Sequence, residues 1–269
     1  MRKTTTRPSH ISLFAKLSLF LSFVVSNASF AIADEQALIT STEMQLAAYQ
    51  VSTRFHQLTL HEGDSLIQEK LEQDISHLNG LRKELSESNA PESAEAIKES
   101  LAISKDYIVF AGKNEIASEG FTSQYAITDL HEARFNLLKT LNKIIDKEIE
   151  VSGNSKKYDL LKAATLLQQM TSDYVRRSVA TGGAGLYVEG EEKMDTPDVL
   201  AGKFSEQLAS ISQMHKGNPE ISNLIRSIDR KWRFIEPSFK NYNTNTVPFL
   251  VTKYCDTIVE KLSEAADQI

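Results

Sequence analysis

The sequence predicts an all-α protein, two tandem antiparallel four-helix bundles behind an export leader, and three observations carry that expectation. Apolar residues return at intervals of three and four along nearly the whole chain and almost nowhere at two, which is the helical period. Residues that stop and restart helices fall between the stripes. A polar stretch, Ser152-Gly-Asn-Ser-Lys-Lys157, parts the stripes into two sets of four.

Residues 1–33 read as the leader. Arg2, Lys3 and Arg7 give a basic start, Leu17 to Val25 a short apolar run, and Ala31-Ile-Ala33 the small-x-small pattern at which such leaders are cut. The run is far shorter than the roughly 20 residues of a membrane-spanning helix, and no Cys follows it to carry a lipid. Cleavage after Ala33 and a soluble periplasmic chain from Asp34 are therefore expected. Of the 30 lysines and arginines, Arg2, Lys3, Arg7 and Lys16 lie in the leader; the remaining 26 face 36 acidic residues, a formal charge of −10. A surface of that sign repels phosphate backbones, and no basic stripe interleaved with aromatics offsets it, so nucleic acid is excluded as a partner. The single Cys255 has no internal partner and reads as a small buried hydrophobe.

The first helix of the 34–152 half carries Met44 and Tyr49 and stops at Gly63-Asp64-Ser65. Ile67, Leu71, Ile75, Leu78, Leu81 and Leu85 stripe the second, which ends in a turn containing Pro91. Ala94, Ile97, Leu101, Ser104, Ile108 and Ala111 mark the third. Gly112 to Thr122 connects it to a fourth, capped by Ser123 and striped by Ala126, Leu130, Ala133, Leu137, Leu141 and Ile144. In the 153–269 half, a fifth helix with Met170 and Tyr174 precedes a loop opening at Thr181-Gly-Gly-Ala-Gly185. A sixth starts at Thr196-Pro197. Gly217-Asn-Pro219 introduces a seventh bearing Ile221, Leu224, Ile228, Trp232, Ile235 and Phe239, bent or ended early by Pro237. Asn241 to Pro248 leads to the last, with Val251, Tyr254, Ile258, Leu262 and Ala265. The recurring Met–Tyr pairs and Pro-containing turns read as duplication of a four-helix unit, with chance similarity of amphipathic helices as the alternative.

Signatures of catalysis are missing: no phosphate-binding glycine loop, no His-Glu-x-x-His, no Gly-x-Ser-x-Gly and no Cys-x-x-Cys-His. No enzyme activity and no cofactor are expected. His56 and His61, five apart, fall on different helix faces and read as solvated; His131, Glu132 and Arg134 read as an exposed charged face. Trp232 falls on an apolar stripe and reads as core. Arg176 and Arg177 allow two readings: a clamp for a carboxylate or inorganic anion, or cations in water against a helix C-terminal dipole, the commoner arrangement.

Leu166-Leu-Gln-Gln-Met-Thr-Ser-Asp-Tyr-Val-Arg176, followed by Asn218-Pro-Glu-Ile221, a mid-helix Trp232 and a final helix from Val247 to Leu262, resembles a known module. It is the periplasmic four-helix sensor module at the N-terminus of type IV pilus methyl-accepting chemotaxis transducers, with a relative in nitrate/nitrite sensor kinases. The resemblance covers about residues 158–265, and more faintly 36–150. It implies a ligand site beside Gln169, Ser172 and Arg176, and a membrane transducer or sensor kinase, or a small ligand, as partner. The nitrate-sensing relatives carry an anion-binding Arg directly before the Met, where this chain has Gln169 and, in its first half, Glu43; nitrate or nitrite binding is not implied. The function expected is a sensor-like or accessory binding protein, with a cell-envelope assembly adaptor as the alternative.

Overall fold

The computed structural model describes residues 11–180, 195–242, 244 and 246–269, with side chains from residue 35 on, residue 180 excepted. The expected leader and the expected loop opening at Thr181 lie outside the residues whose side chains are described. Every regular element among the described residues is helical, so the protein is all-α. The helices are α1 (Ile11–Leu60), α2 (Ser65–Glu87), α3 (Ala94–Ala111), α4 (Ile116–Glu119), α5 (Gln124–Ser152), α6 (Lys156–Ala180), α7 (Pro197–Met214), α8 (Pro219–Lys240) and α9 (Pro248–Asp267).

Local chemistry sets the boundaries. The Asp64 side chain accepts from the Leu66 and Ile67 amides at 2.9 and 3.1 Å, satisfying donors that the first turn of α2 leaves open. Ser123 caps α5 in the same way, and Asn218 caps α8. Pro197, Pro219 and Pro248 sit at helix starts, where the missing N–H costs nothing. Gly63, at φ 83°, turns the chain out of α1. A Cβ there would lie 3.0 Å from the Ala117 backbone in α4. Gly63→Ala is therefore expected to cost about 1–2 kcal/mol, from a positive φ and a close approach together. A free energy of unfolding from urea titration within about 0.5 kcal/mol of wild type would contradict this.

Two short elements were not expected: a 3-10 turn at Pro91–Ser93 and α4 within 112–122. Asn114 holds the α4 segment to α1, donating to the Phe55 carbonyl at 2.9 Å and to Thr59 Oγ1 at 3.1 Å. Pro237 does not end α8 early. Its ring faces solvent, the carbonyl it leaves unbonded is that of exposed Arg233, and buried Phe239 packs the last turn against Tyr174 and Trp232.

Helix contacts run in two circuits. In one, α1 meets α2, α2 meets α3, α3 meets α5 and α5 returns to α1; in the other, α6, α7, α8 and α9 close in the same order. Each circuit encloses its own apolar cluster, the first around Phe55, Leu78 and Leu137, the second around Phe204, Ile228 and Trp232. The circuits join along α1 and α6, the most extensive helix pairing in the molecule. Leu38 of α1 clusters with Tyr158 of α6 near one end, and Ser52 and Ser172 share a partner further along, so the two helices run in the same direction. The Gln45–Asn142 bond and the Ser52–Arg134 bond show α5 running antiparallel to α1. Arg54 of α1 reaches both circuits, meeting Asp256 of α9 at 2.8 Å and Asp74 of α2 at 3.4 Å. The longer of these is Coulombic rather than an aligned hydrogen bond.

Candidate functional site

Helices buried all round need apolar or paired polar residues on every face. Along α1, from Ala37 to Leu58, nearly every side chain is buried, and eight of them are polar: Thr40, Ser41, Thr42, Gln45, Ser52, Thr53, His56 and Gln57. Buried polar groups ordinarily have partners; Thr42 and Thr53 donate to carbonyls of their own helix, Ser41 Oγ and His56 Nδ1 have none among the described residues, and other bonds cross the seam. Gln168 Nε2 donates to Thr53 Oγ1 at 2.9 Å, and Gln57 Nε2 to Thr252 Oγ1 at 3.0 Å.

Where α1, α5 and α6 converge, the seam becomes charged. Tyr49, Ser52 and His56 lie at helical spacing on α1, His131 and Arg134 one turn apart on α5, and Ser172, Asp173 and Arg176 on α6. Arg134 is 6% exposed. Its Nη1 donates to Ser52 Oγ at 2.7 Å and to Ser172 Oγ at 2.9 Å, so one guanidinium group holds three helices. Its Nη2 lies 3.3 Å from His131 Nδ1, and its plane lies over the Tyr49 ring. Asp173 is bound instead to Arg176 at 2.6 Å and to Arg177 at 2.8 Å.

Protonation follows from this geometry. Burial, then the Arg134 and Arg176 charges, lower His131 to about 3. The same causes, in the same order, hold His56 well below the usual histidine range. A neutral His131 can accept from Arg134 through Nδ1 and carry its proton on Nε2, the tautomer this network assigns. Burial pushes the Asp173 carboxyl upward, but Arg176 and Arg177 outweigh it and hold the group below its ordinary value, as a carboxylate. Tyr49 is raised by burial.

A recess of about 20 Å³ opens on this junction, lined by Tyr49, His131, Arg134, Gln169, Asp173 and Arg176, with Arg177, Asp195 and Leu200 also on its walls. Of the residues expected from sequence, half-buried Gln169 and buried Arg176 are on the lining. Ser172, fully buried, lies behind it as an acceptor for Arg134. The larger groove, about 390 Å³ between α3 and α5, is an open surface feature, and an exposed Lys143–Glu99 pair belongs to its walls.

Three sequence readings, bearing on four residues, are corrected. His131 and Arg134 are not an exposed face, His56 is not solvated, and Arg176 does not stand in water; all four are at least nine-tenths buried. The reason is that α5 packs against α1 as well as α3, and from that seam Arg134 reaches Ser172 of α6. Ile127, His131, Arg134, Leu138, Leu141 and Ile145 form a second stripe at alternating four- and three-residue spacing beside the apolar one. That stripe is visible in the sequence once polar members are allowed. Trp232 and Cys255 are core, as the sequence indicated. Among the described residues no group of three or more His, Cys, Asp or Glu side chains is arranged to hold a metal ion, and no helix is long and apolar enough to cross a membrane. Comparison of the chain with protein-family models, with curated proteins and with solved structures gives no match in any of the three.

Proposed function

We propose that this chain is an exported periplasmic sensor-like or accessory binding protein, built as two tandem four-helix bundles, whose ligand site is the junction of α1, α5 and α6. One observation carries the reading: Arg134, buried at the join of the two circuits, spans α1 and α6 through Ser52 and Ser172 and also lines a recess. A ligand that engages this guanidinium acts on the same group whose bonds tie the circuits together. Binding is thereby coupled to the relative position of α1 and α6, since packed helices shift between few discrete arrangements. The likeness of the α6 sequence to a chemotaxis-transducer module, and the leader-like residues 1–33, support a periplasmic role. The shifted state would be handed to a membrane transducer or sensor kinase.

Hydrogen exchange on the full chain, across a panel of cations, neutral sugars and amides, and anions, tests this. A ligand of the junction slows exchange in α1 around Ser52 and in α6 around Ser172 together, leaving α3 and α8 unchanged. A panel in which no compound protects either place overturns the reading.

A second reading, an envelope assembly adaptor with no small ligand, is favoured by the aromatic surface of α8 and α9. Phe234 is 56% exposed and stacks at 4.9 Å on Tyr254, and Phe249 is 66% exposed. Exposed aromatics of this kind suit a protein partner.

A further inference from the structure

Resting on the junction of α1, α5 and α6 as the ligand site, we propose that its ligand presents a carboxylate, carried by a small organic acid, to the free edge of Arg134. A buried cation is ordinarily matched by an anion, because taking a charge out of water without one costs several kcal/mol. Arg134 has no carboxylate within ion-pair distance among the described residues; its partners there are two hydroxyls, an imidazole nitrogen and an aromatic face. Of the two acids on the recess, Asp173 is bonded to Arg176 and Arg177, and Asp195 to Lys203.

The guanidinium's remaining donors define the shape of what fits. Ser52 and Ser172 occupy Nη1, and one Nη2 hydrogen approaches His131. Nε–H and the second Nη2 hydrogen remain, and two donors of one planar group match the two oxygens of a carboxylate. The recess, about 20 Å³, has room for little more than one water-sized group, so only the carboxylate end would enter and the rest of the acid would extend past half-buried Gln169 toward Leu200. The acidic surface of the protein does not forbid this, since exposed charges are screened beyond about 8 Å at physiological ionic strength, whereas Arg134 acts at contact.

Titration of the full chain with formate, acetate and propionate, in parallel with chloride and with a neutral amide, tests the proposal. Heat of binding and thermal midpoint are read together. The monocarboxylates are expected to bind and to raise the midpoint with concentration, as any ligand selective for the folded state does. The side-chain Nε–H resonance of Arg134 should move on binding. Arg134→Lys keeps the charge without the fork and is expected to weaken carboxylate binding at least tenfold; Arg134→Met is expected to abolish it. If either variant fails to fold, the Nε–H shift in the wild-type chain decides. Binding by chloride alone overturns the carboxylate, as does carboxylate binding that Arg134→Lys leaves undiminished or that leaves the Arg134 resonance unmoved. A neutral or cationic compound that protects the junction overturns this proposal while leaving the junction as the ligand site. Failure of every compound overturns both.

Discussion

Trp232→Ala is expected to lower the free energy of unfolding by about 3–5 kcal/mol, the range for truncating a large aromatic in a packed core. The indole is 2% exposed. It packs edge-on to Phe204 with ring centroids 4.7 Å apart and lies tilted against Phe239 at 5.7 Å. Its Nε1–H donates to Ser205 Oγ at 2.9 Å. Removing the ring loses transfer energy, leaves a cavity lined by those two phenyl groups, and deletes a bond, while the Ser205 hydroxyl keeps the bond that it donates to the Ala201 carbonyl. Urea unfolding followed by far-ultraviolet dichroism should show one transition in both proteins, displaced as a whole in the variant. The α1–α6 seam is the reason, since neither circuit can open without exposing α1 or α6. A shift below 1 kcal/mol would show that the indole is not packed as described. Two transitions, of which only one moves, would show that the halves unfold independently.

Acidification should destabilise the protein well before its carboxylates titrate. His131 is held to about 3 when folded, and His56 and His215 are also lowered, each chiefly by burial. Unfolded, all three titrate near 6.5. Between these limits the unfolded chain binds protons that the folded chain refuses, so stability rises with pH there. It is complete above about pH 6.5 and declines as pH falls, at up to about 1.4 kcal/mol per pH unit for each histidine involved. Glu43, Asp74 and Asp159, raised by burial, act in the opposite sense nearer their own range, so the cleanest window is pH 6.5 to 5. His131→Gln should reduce the slope in that window by about one proton. An unchanged slope would show that His131 is already solvated, or already charged, in the folded protein.

Much of the fold was legible because helices announce themselves by period. The stripe from Ile221 to Phe239 is one unbroken face, and Asp64, Ser123 and Asn218 are capping residues where caps are needed. The short α4 was not legible, since one turn has no period and depends on Asn114 reaching α1. The site was legible only on the helix that carries the sequence likeness. Gln169 and Arg176 could be named there, but Arg134 was set aside because a charge beside His131 and Glu132 normally faces water. Burial of a cation depends on a third helix arriving from elsewhere in the chain, and its one local trace is the second stripe of α5, which shows only when polar residues are counted as members. Glu132, one position along, does face solvent. The same short segment therefore holds one surface charge and one buried one.

The central position of α1 has a kinetic consequence. Its bonds are made to residues remote along the chain: Gln45 to Asn142 across 97 positions, Gln57 to Thr252 across 195, Arg54 to Asp256 across 202. Closing such contacts slows folding relative to bundles whose neighbours are adjacent in sequence. The helix synthesised first among the described elements is thus the one whose surfaces are covered last. Until α5 and α6 arrive, only the side that α2 covers is shielded, and exposed apolar surface of this kind is what makes incomplete chains prone to aggregate. The architecture that places a guanidinium group where three helices meet also leaves the early chain waiting longest for the neighbours that cover it.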